Sequence, residues 1–135
     1  MGEVFHISDN PVYLGAGGRT EVLPSFGMDA APYAQRNAED GGGGRLMAVY
    51  TFTEDWDIWE VHHEGDELVM CLDGAMTVHQ ERDGEISSVR LTAGQAVINE
   101  PGTWHTADIA ETATALFVMA GVESDHRPRR APHPE

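Results

Sequence analysis

Turn signals recur along most of this chain, and they limit what it can fold into. From Arg45 onward, stretches rich in β-branched, aromatic and other apolar residues alternate with turn residues about every eight to twelve positions. These stretches cover residues 45–52, 57–62, 67–72, 75–81, 86–91, 96–99, 103–107 and 113–122. None carries the i, i+3, i+4 repeat of a long helix. We therefore expect an all-β fold, a sandwich or barrel of short strands with little helix.

Specific turns support this expectation. Asp73-Gly74 is a hairpin signal, the segment 82–85 is another, and Ala93-Gly94-Gln95 separates two further strands. Before Arg45 the chain is rich in glycine and proline, and we expect residues 29–40 to form a loop with at most one helical turn. The glycine run 41–44 lacks the Lys-Ser/Thr of a phosphate-binding loop and is interpreted as a flexible segment.

The length of 135 residues fits one domain. We expect residues 1–44 to add strands and loops that complete a barrel, residues 45–123 to form its core, and residues 124–135 to be a disordered, proline-rich tail. The single cysteine, Cys71, lies in an apolar stretch and is expected to be a buried hydrophobic residue.

Charge excludes several classes of partner. The chain has 23 acidic residues against 8 basic ones, all arginine, and a formal net charge of −15. Such a surface repels phosphate backbones and anionic membranes, so we expect neither a nucleic acid nor a membrane as partner. The N-terminus lacks the pattern of a signal peptide and no stretch has the length of a membrane span, which predicts a soluble cytoplasmic protein.

Histidines and carboxylates concentrate around residue 62. Residues two apart in a strand face the same side, so Glu60 and His62 are expected to share one face, whereas His63 faces away. Glu67 follows a short turn and is expected to face the same interior from the other arm of a hairpin. His105 follows the Pro101-Gly102 turn and supplies a second imidazole. Two imidazoles and two carboxylates predict a site for one divalent transition metal: Fe, Mn, Ni, Zn or Cu.

The segment 60–74 resembles the first motif of the cupin family. That motif runs His-x-His, three or four residues, Glu, six residues and Gly. His62, Glu67 and Gly74 occupy the second His, the Glu and the Gly with matching spacings. Glu60 stands at the first histidine of the motif. The alternative register, with His63 as the ligand, would put Val61 in that position.

The segment 94–105 is similar to the second cupin motif. Gly94, the adjacent Pro101 and Gly102, and the ligand His105 match it, while Ile109 stands where the family has Asn. The resemblance implies a single jelly-roll β barrel, the double-stranded β helix of cupins. It also implies a metal held by Glu60, His62, Glu67 and His105.

The resemblance further implies a small-molecule ligand and reactions of the dioxygenase or isomerase type. Trp56, Trp59 and Trp104 flank the predicted ligands, and their rings could supply apolar walls for a small molecule. Trp59 and Trp104 are the pocket candidates, with core packing as the alternative. A homodimer is expected, because a neighbouring chain can cover an exposed strand edge. No Ser-His-Asp order stands out, which disfavours a nucleophilic hydrolase.

Two other functions stay open at this point. The barrel could bind a metabolite without metal or catalysis, since Glu60 departs from the motif. Alternatively, the arginine-rich tail could dock on an acidic partner protein.

Overall fold

The computed structural model describes residues 2–24, 31–120 and 124–129. The described part contains ten strands, one α-helix and a 3-10 turn at Ala16–Gly18. The strands are β1 (Val12–Leu14), β2 (Thr20–Val22), β3 (Arg45–Phe52), β4 (Ile58–His62), β5 (Glu67–Arg82), β6 (Glu85–Thr92), β7 (Ala96–Asn99), β8 (Trp104–Asp108), β9 (Ala113–Ala120) and β10 (Ser124–Pro128). The helix α1 spans Ala31–Glu39. No helix among the described residues combines the length and hydropathy needed to span a bilayer.

The strands form an antiparallel sheet in the order β10-β4-β8-β5-β9-β3-β1-β2, with β6 and β7 pairing with β5. The first half of β5 pairs with β7 and β9, and its second half pairs with β6 and β8. The sheet thus has two halves that share β5. Both halves contribute to one core cluster, with Phe117 from β9 and Ala107 from β8 among its members. All-β architecture with one short helix is therefore confirmed.

Strand β5 differs from the predicted hairpin at Asp73-Gly74. The chain continues in one strand through this point, and its pairing with β9 shifts register between Cys71 and Asp73. Gly74 has φ +77°, and a Cβ there would overlap the carbonyl oxygen of Thr112. A bulge bends the strand from one half of the sheet into the other, so the turn residues mark a corner and not a reversal. The predicted turn at 82–85 is a hairpin, with Arg82 opposite Glu85.

Helix α1 lies in a segment expected to be mainly loop, of which residues 29 and 30 fall outside the described range. Its buried face consists of Tyr33 and Asn37. The Tyr33 hydroxyl donates to the Gly44 carbonyl at 3.1 Å, and the Gly44 N–H donates to Asn37 Oδ1 at 2.7 Å. The Tyr33 ring also packs 5.9 Å from the Tyr13 ring, and Arg36 pairs with Glu21 at 2.7 Å. Because these contacts are mostly polar, no apolar stripe in the sequence predicted the helix. The two contacts with Gly44 also fix one end of the glycine run that was interpreted as flexible.

The expected disordered tail begins instead with strand β10. It pairs antiparallel with β4, with Ser124 opposite His62 and Pro128 opposite Ile58. Arg127 forms an ion pair with Glu81, and Arg129 pairs with Asp108 at 2.6 Å. Arg127 and Arg129, two arginines of the tail for which docking on a partner protein was an alternative, therefore contact acidic groups of this chain. Residues 130–135 lie outside the described range.

Candidate metal centre

Two chain crossings between the halves of the sheet meet at one place. The segment 63–66 links β4 to β5, and the segment 100–103 links β7 to β8. The Gly102 N–H donates to the His62 carbonyl at 2.9 Å, which ties one crossing to the other. Strands β4 and β5 are not neighbours in the sheet. The hairpin expected between Glu60 and Glu67 is therefore absent from the described structure, and their side chains meet because the two halves face each other.

Strand register aims the four predicted ligands at one point. Glu60 lies directly opposite His105 across β4 and β8, so both side chains face the same side. His62, two residues after Glu60, faces that side as well. Glu67 begins β5 on the opposing half, where it faces the same interior.

The donor atoms of these four residues lie close together. His62 Nε2 is 2.8 Å from Glu60 Oε1 and 3.1 Å from Glu67 Oε2. His105 Nε2 is 3.1 Å from Glu67 Oε1 and 3.8 Å from Glu60 Oε1. One ligand atom from each of the four residues lies within 4.8 Å of the other three. The structure thus brings together all four residues that the sequence singled out.

His105 is oriented by the backbone. Its Nδ1–H donates to the Thr103 carbonyl at 3.2 Å, which leaves the Nε2 lone pair aimed at the carboxylates. Nε2 is buried and has no hydrogen-bond partner, although Glu67 Oε1 lies 3.1 Å away. A neutral imidazole nitrogen beside carboxylate oxygens needs a proton or a cation between them.

A short polar chain supports Glu67, which is only 2% exposed. The Asn99 side-chain amide donates to Glu67 Oε1 at 3.1 Å. The Gln80 amide in turn donates to Asn99 Oδ1 at 2.7 Å. Neither Asn99 nor Gln80 was singled out in the sequence, but both sit directly opposite a predicted ligand in the strand register: Asn99 opposite Glu67 and Gln80 opposite His105.

The carboxylates and imidazoles shift each other's pKa values. Burial alone would lower the pKa of His62 and of His105, but Glu60 and Glu67 outweigh it and raise these pKa values to about 10 and about 9. Burial alone would raise the pKa of Glu67, but the two histidines outweigh it and lower that pKa to about 2. The pKa of Glu60 falls well below its usual range by the same balance. Without metal, the cluster is two carboxylates paired with two imidazolium groups.

The residues present fit a transition metal. Bonds from such a metal to imidazole nitrogen and carboxylate oxygen are about 2.0–2.2 Å long, so ligands on opposite sides of it lie about 4 Å apart. Donor atoms within 4.8 Å of one another need only small shifts to reach that geometry. Glu60 and His62 keep 22% and 11% of their side-chain surface exposed, so the cluster opens to solvent on the β4 side.

Aromatic side chains form a wall beside the cluster, and of the three tryptophans that flank the ligands in sequence only Trp56 belongs to it. The Trp56 ring lies 6.3 Å from the His105 ring and packs on Phe52 and Phe117 at 5.4 and 6.1 Å. Tyr50 packs on Phe117 at 5.9 Å. We call these four residues, Tyr50, Phe52, Trp56 and Phe117, the aromatic wall. The Trp56 indole N–H is buried and has no hydrogen-bond partner.

Trp59 and Trp104 lie elsewhere. Each precedes a cluster residue in its strand and therefore faces the other side of the sheet. The Arg127 guanidinium lies over both rings, 5.3 Å from the Trp59 centroid and 4.6 Å from the Trp104 centroid. The structure thus does not place the two predicted pocket residues with the ligands, because strand alternation separates sequence neighbours onto opposite faces.

On this outer face the structure contains a Ser-His-Asp line that the sequence order did not reveal. His79 Nδ1 is 2.7 Å from Ser88 Oγ, and His79 Nε2 is 2.8 Å from Asp108 Oδ2. Asp108 is also paired with Arg129. The three residues lie on the adjacent strands β6, β5 and β8, where the backbone N–H groups take part in strand pairing. We interpret the line as a cross-strand polar contact.

Comparisons with known proteins identify what this chain is similar to. The family model described as Cupin domain matches residues 48–121, more than half of the chain. The comparison with curated proteins finds no significant match.

Solved structures also match. A structure of oxalate oxidase matches with 18% identity and a TM-score of 0.51, over 61% of this chain and 46% of that one. A cupin-2 domain containing protein from Shewanella frigidimarina NCIMB 400 matches with 17% identity and a TM-score of 0.49, over 57% of this chain and 71% of that one. Hydroxypropylphosphonic acid epoxidase from S. wedmorenis matches with 18% identity and a TM-score of 0.48, over 55% of this chain and 42% of that one. The chain spans less than half the length of the oxalate oxidase and epoxidase chains. On the match of the family model, this chain belongs to the cupin family.

Proposed function

We propose that this cupin holds one divalent transition metal through Glu60, His62, Glu67 and His105 and acts on a small metabolite beside it. The observation that carries this proposal is the Nε2 atom of His105. In the neutral imidazole this buried nitrogen has a free lone pair, no hydrogen-bond donor among the described residues lies beside it, and it faces carboxylate oxygens. A metal between these groups would satisfy the nitrogen and both carboxylates at once.

The four donor groups limit which metal ions the site would bind. Two imidazoles and two carboxylates suit Fe, Mn, Ni, Zn or Cu better than Ca or Mg, which prefer oxygen ligands alone. Such a metal, when bound, supplies a Lewis acid and, for Fe, Mn or Cu, a redox centre. Dioxygenase or isomerase chemistry on a small oxygenated metabolite is the finer form of the proposal.

The chain's own residues have separate tasks in this proposal. Thr103 fixes the His105 ring, and Asn99 holds Glu67, so two ligands on opposite halves of the sheet are oriented in advance. The aromatic wall keeps water from one side of the site.

Elemental analysis of untagged protein tests the proposal. We expect close to one transition metal per chain, lost in both His62→Ala and His105→Ala and retained in His63→Ala. His63 is the matched control because it lies next to His62 but is 48% exposed and contacts Asp125. Negligible metal in the wild type, or metal that survives both substitutions, would overturn the proposal.

A metal-free binding module is the second candidate, and the charge balance of the cluster favours it. Two imidazolium groups and two carboxylates pair at 2.8–3.1 Å without a cation. For such a module, added metal would leave the unfolding temperature unchanged. A metal that binds the folded state would raise it.

A cytoplasmic location and a homodimer complete the proposal. The single buried cysteine suits a reducing compartment. Strands β6 and β7 each pair only with β5 among the described strands, and they carry the exposed residues Ile86 and Ile98. Light scattering should give twice the chain mass, and a monomer would contradict the dimer.

A further inference from the structure

We infer that His126 is a positioning residue that holds Glu60 in the orientation a metal ligand needs, which makes strand β10 part of the metal centre. We call residues 124–129, which include β10, the C-terminal strap. The inference rests on the proposed metal site. It concerns a residue outside both sequence motifs and outside the segment that the family model matches.

The two oxygens of the Glu60 carboxylate contact different histidines. His126 lies directly opposite Glu60 across β10 and β4. Its Nε2 is 2.9 Å from Glu60 Oε2, while Glu60 Oε1 is 2.8 Å from His62 Nε2 inside the cluster. One oxygen therefore faces the cluster, and the other accepts a hydrogen bond from the strap.

Glu60 needs such support more than the other ligands do. Its side chain is 22% exposed, against 2% for both Glu67 and His105. A glutamate with several rotamers and access to water can turn away from the cluster, and ordering its side chain costs conformational entropy. A hydrogen bond from His126 fixes the carboxylate before metal arrives, as partners behind metal ligands commonly do.

Anchors on both sides of His126 keep the strap in place. Arg127 contacts Glu81 and lies over the Trp59 and Trp104 rings. Arg129 donates to the Trp56 and Ala107 carbonyls at 3.0 and 3.2 Å. Asp125 contacts His63 at 2.8 Å. These contacts of residues 125, 127 and 129, on both sides of His126, indicate that His126 is held against Glu60 rather than passing it by chance.

Direct coordination by His126 does not fit the geometry as well. The group of ligand atoms that lie within 4.8 Å of one another contains Glu60, His62, Glu67 and His105 but not His126. Its ring nitrogen faces the outer oxygen of Glu60, so the carboxylate lies between His126 and the cluster.

The test compares His126→Met with His126→Gln in full-length protein stripped of metal and titrated with Co(II). The two replacements have similar length, but only the glutamine amide can donate to Glu60. We expect His126→Met to weaken Co(II) binding about tenfold and to change the Co(II) visible absorption spectrum. His126→Gln should restore most of the affinity and the wild-type spectrum.

Two controls separate positioning from a general effect on the strap. His63→Ala removes the strap contact on the opposite face and should leave affinity and spectrum unchanged. In a Glu60→Ala background, His126→Met should cause no further loss, because the residue it positions is gone.

Wild-type affinity in His126→Met would overturn the inference, and so would an equal further loss in the Glu60→Ala background. The absence of Co(II) binding by the wild type would overturn the proposed metal site itself, and with it this inference. The two failures are therefore distinguishable by the wild-type titration alone.

Discussion

Glu60 and His105 are register partners on strands β4 and β8. This pairing places a carboxylate and an imidazole from distant parts of the chain side by side. It also fixes which residues of each strand face the cluster. His62 then shares the face of Glu60, and Gln80, opposite His105 on β5, faces the same interior. The cluster follows from strand register, and its donors do not depend on a flexible loop.

Metal binding should depend steeply on pH. The carboxylates raise the pKa of His62 to about 10 and that of His105 to about 9, so both imidazoles hold protons at neutral pH in the metal-free protein. A metal needs neutral imidazoles and must displace these protons, about two per chain. Affinity should therefore rise with pH, by up to about 100-fold per unit below the lower pKa. Co(II) titration calorimetry in several buffers measures the number of protons released on binding. An affinity that does not change with pH would contradict this proton release.

Asn99→Ala should weaken the metal site through Glu67. The substitution removes the donor to Glu67 Oε1 in a buried position. It also removes one of two acceptors of the Gln80 amide, which keeps its hydrogen bond to the Ile98 carbonyl at 3.0 Å. We expect about 10-fold weaker metal binding and a loss of about 1–3 kcal/mol in the free energy of unfolding.

Asn10→Ala is the matched control for this substitution. It removes a similar hydrogen bond, from the Asn10 side-chain amide to the Leu23 carbonyl. Asn10 precedes β1, which β9 and β3 separate from β5 in the strand order. It should lower the free energy of unfolding but leave metal affinity unchanged. Equal effects of the two substitutions on affinity would contradict a specific role for Asn99.

Arg127→Ala should loosen the C-terminal strap. The guanidinium pairs with the partly buried Glu81 and covers two tryptophan rings, so its removal should cost roughly 1–2 kcal/mol in chemical denaturation. Arg82→Ala is the control, because Arg82 and Glu100 are 55% and 64% exposed and such pairs contribute less than about 1 kcal/mol. Equal losses from the two substitutions would mean that the strap is not anchored as described.

Gly74→Ala should damage the corner of β5. Gly74 has φ +77°, and the added Cβ would meet the Thr112 backbone, so we expect a loss of about 2–5 kcal/mol in the free energy of unfolding. Gly84 has φ +81° with open space around it, and Gly84→Ala should cost only about 1 kcal/mol. Urea denaturation of both variants checks the difference, and similar costs would argue against a corner at Gly74.

Sequence patterns predicted the parts of this fold that depend on local alternation. Strand length and turn spacing indicated an all-β fold, and the resemblance of two motifs indicated a cupin. Strand alternation placed Glu60 with His62 and apart from His63. The motif spacing identified Glu67 and His105 as their partners. Each of these inferences needed only the period of a strand and the spacing within a motif.

Features that depend on long-range pairing were not predictable in the same way. Strand β10 is polar and ends in proline, and it is ordered by β4 and by contacts of its arginines with distant acidic residues. Trp56 lies outside the strands, so alternation gave no direction for its ring, while Trp59 and Trp104 were placed by proximity in sequence and not by parity. The corner at Gly74 has the same residues as a hairpin turn, and only the pairing with β9 distinguishes the two.

Anomalous diffraction from crystals grown with the bound metal tests the central claim most directly. Data collected on both sides of the absorption edge of the metal should give one strong peak per chain, bonded to Nε2 of His62 and of His105 and to carboxylate oxygens of Glu67 and Glu60. A map without a peak among these four side chains, or with the metal bound elsewhere, would contradict the account.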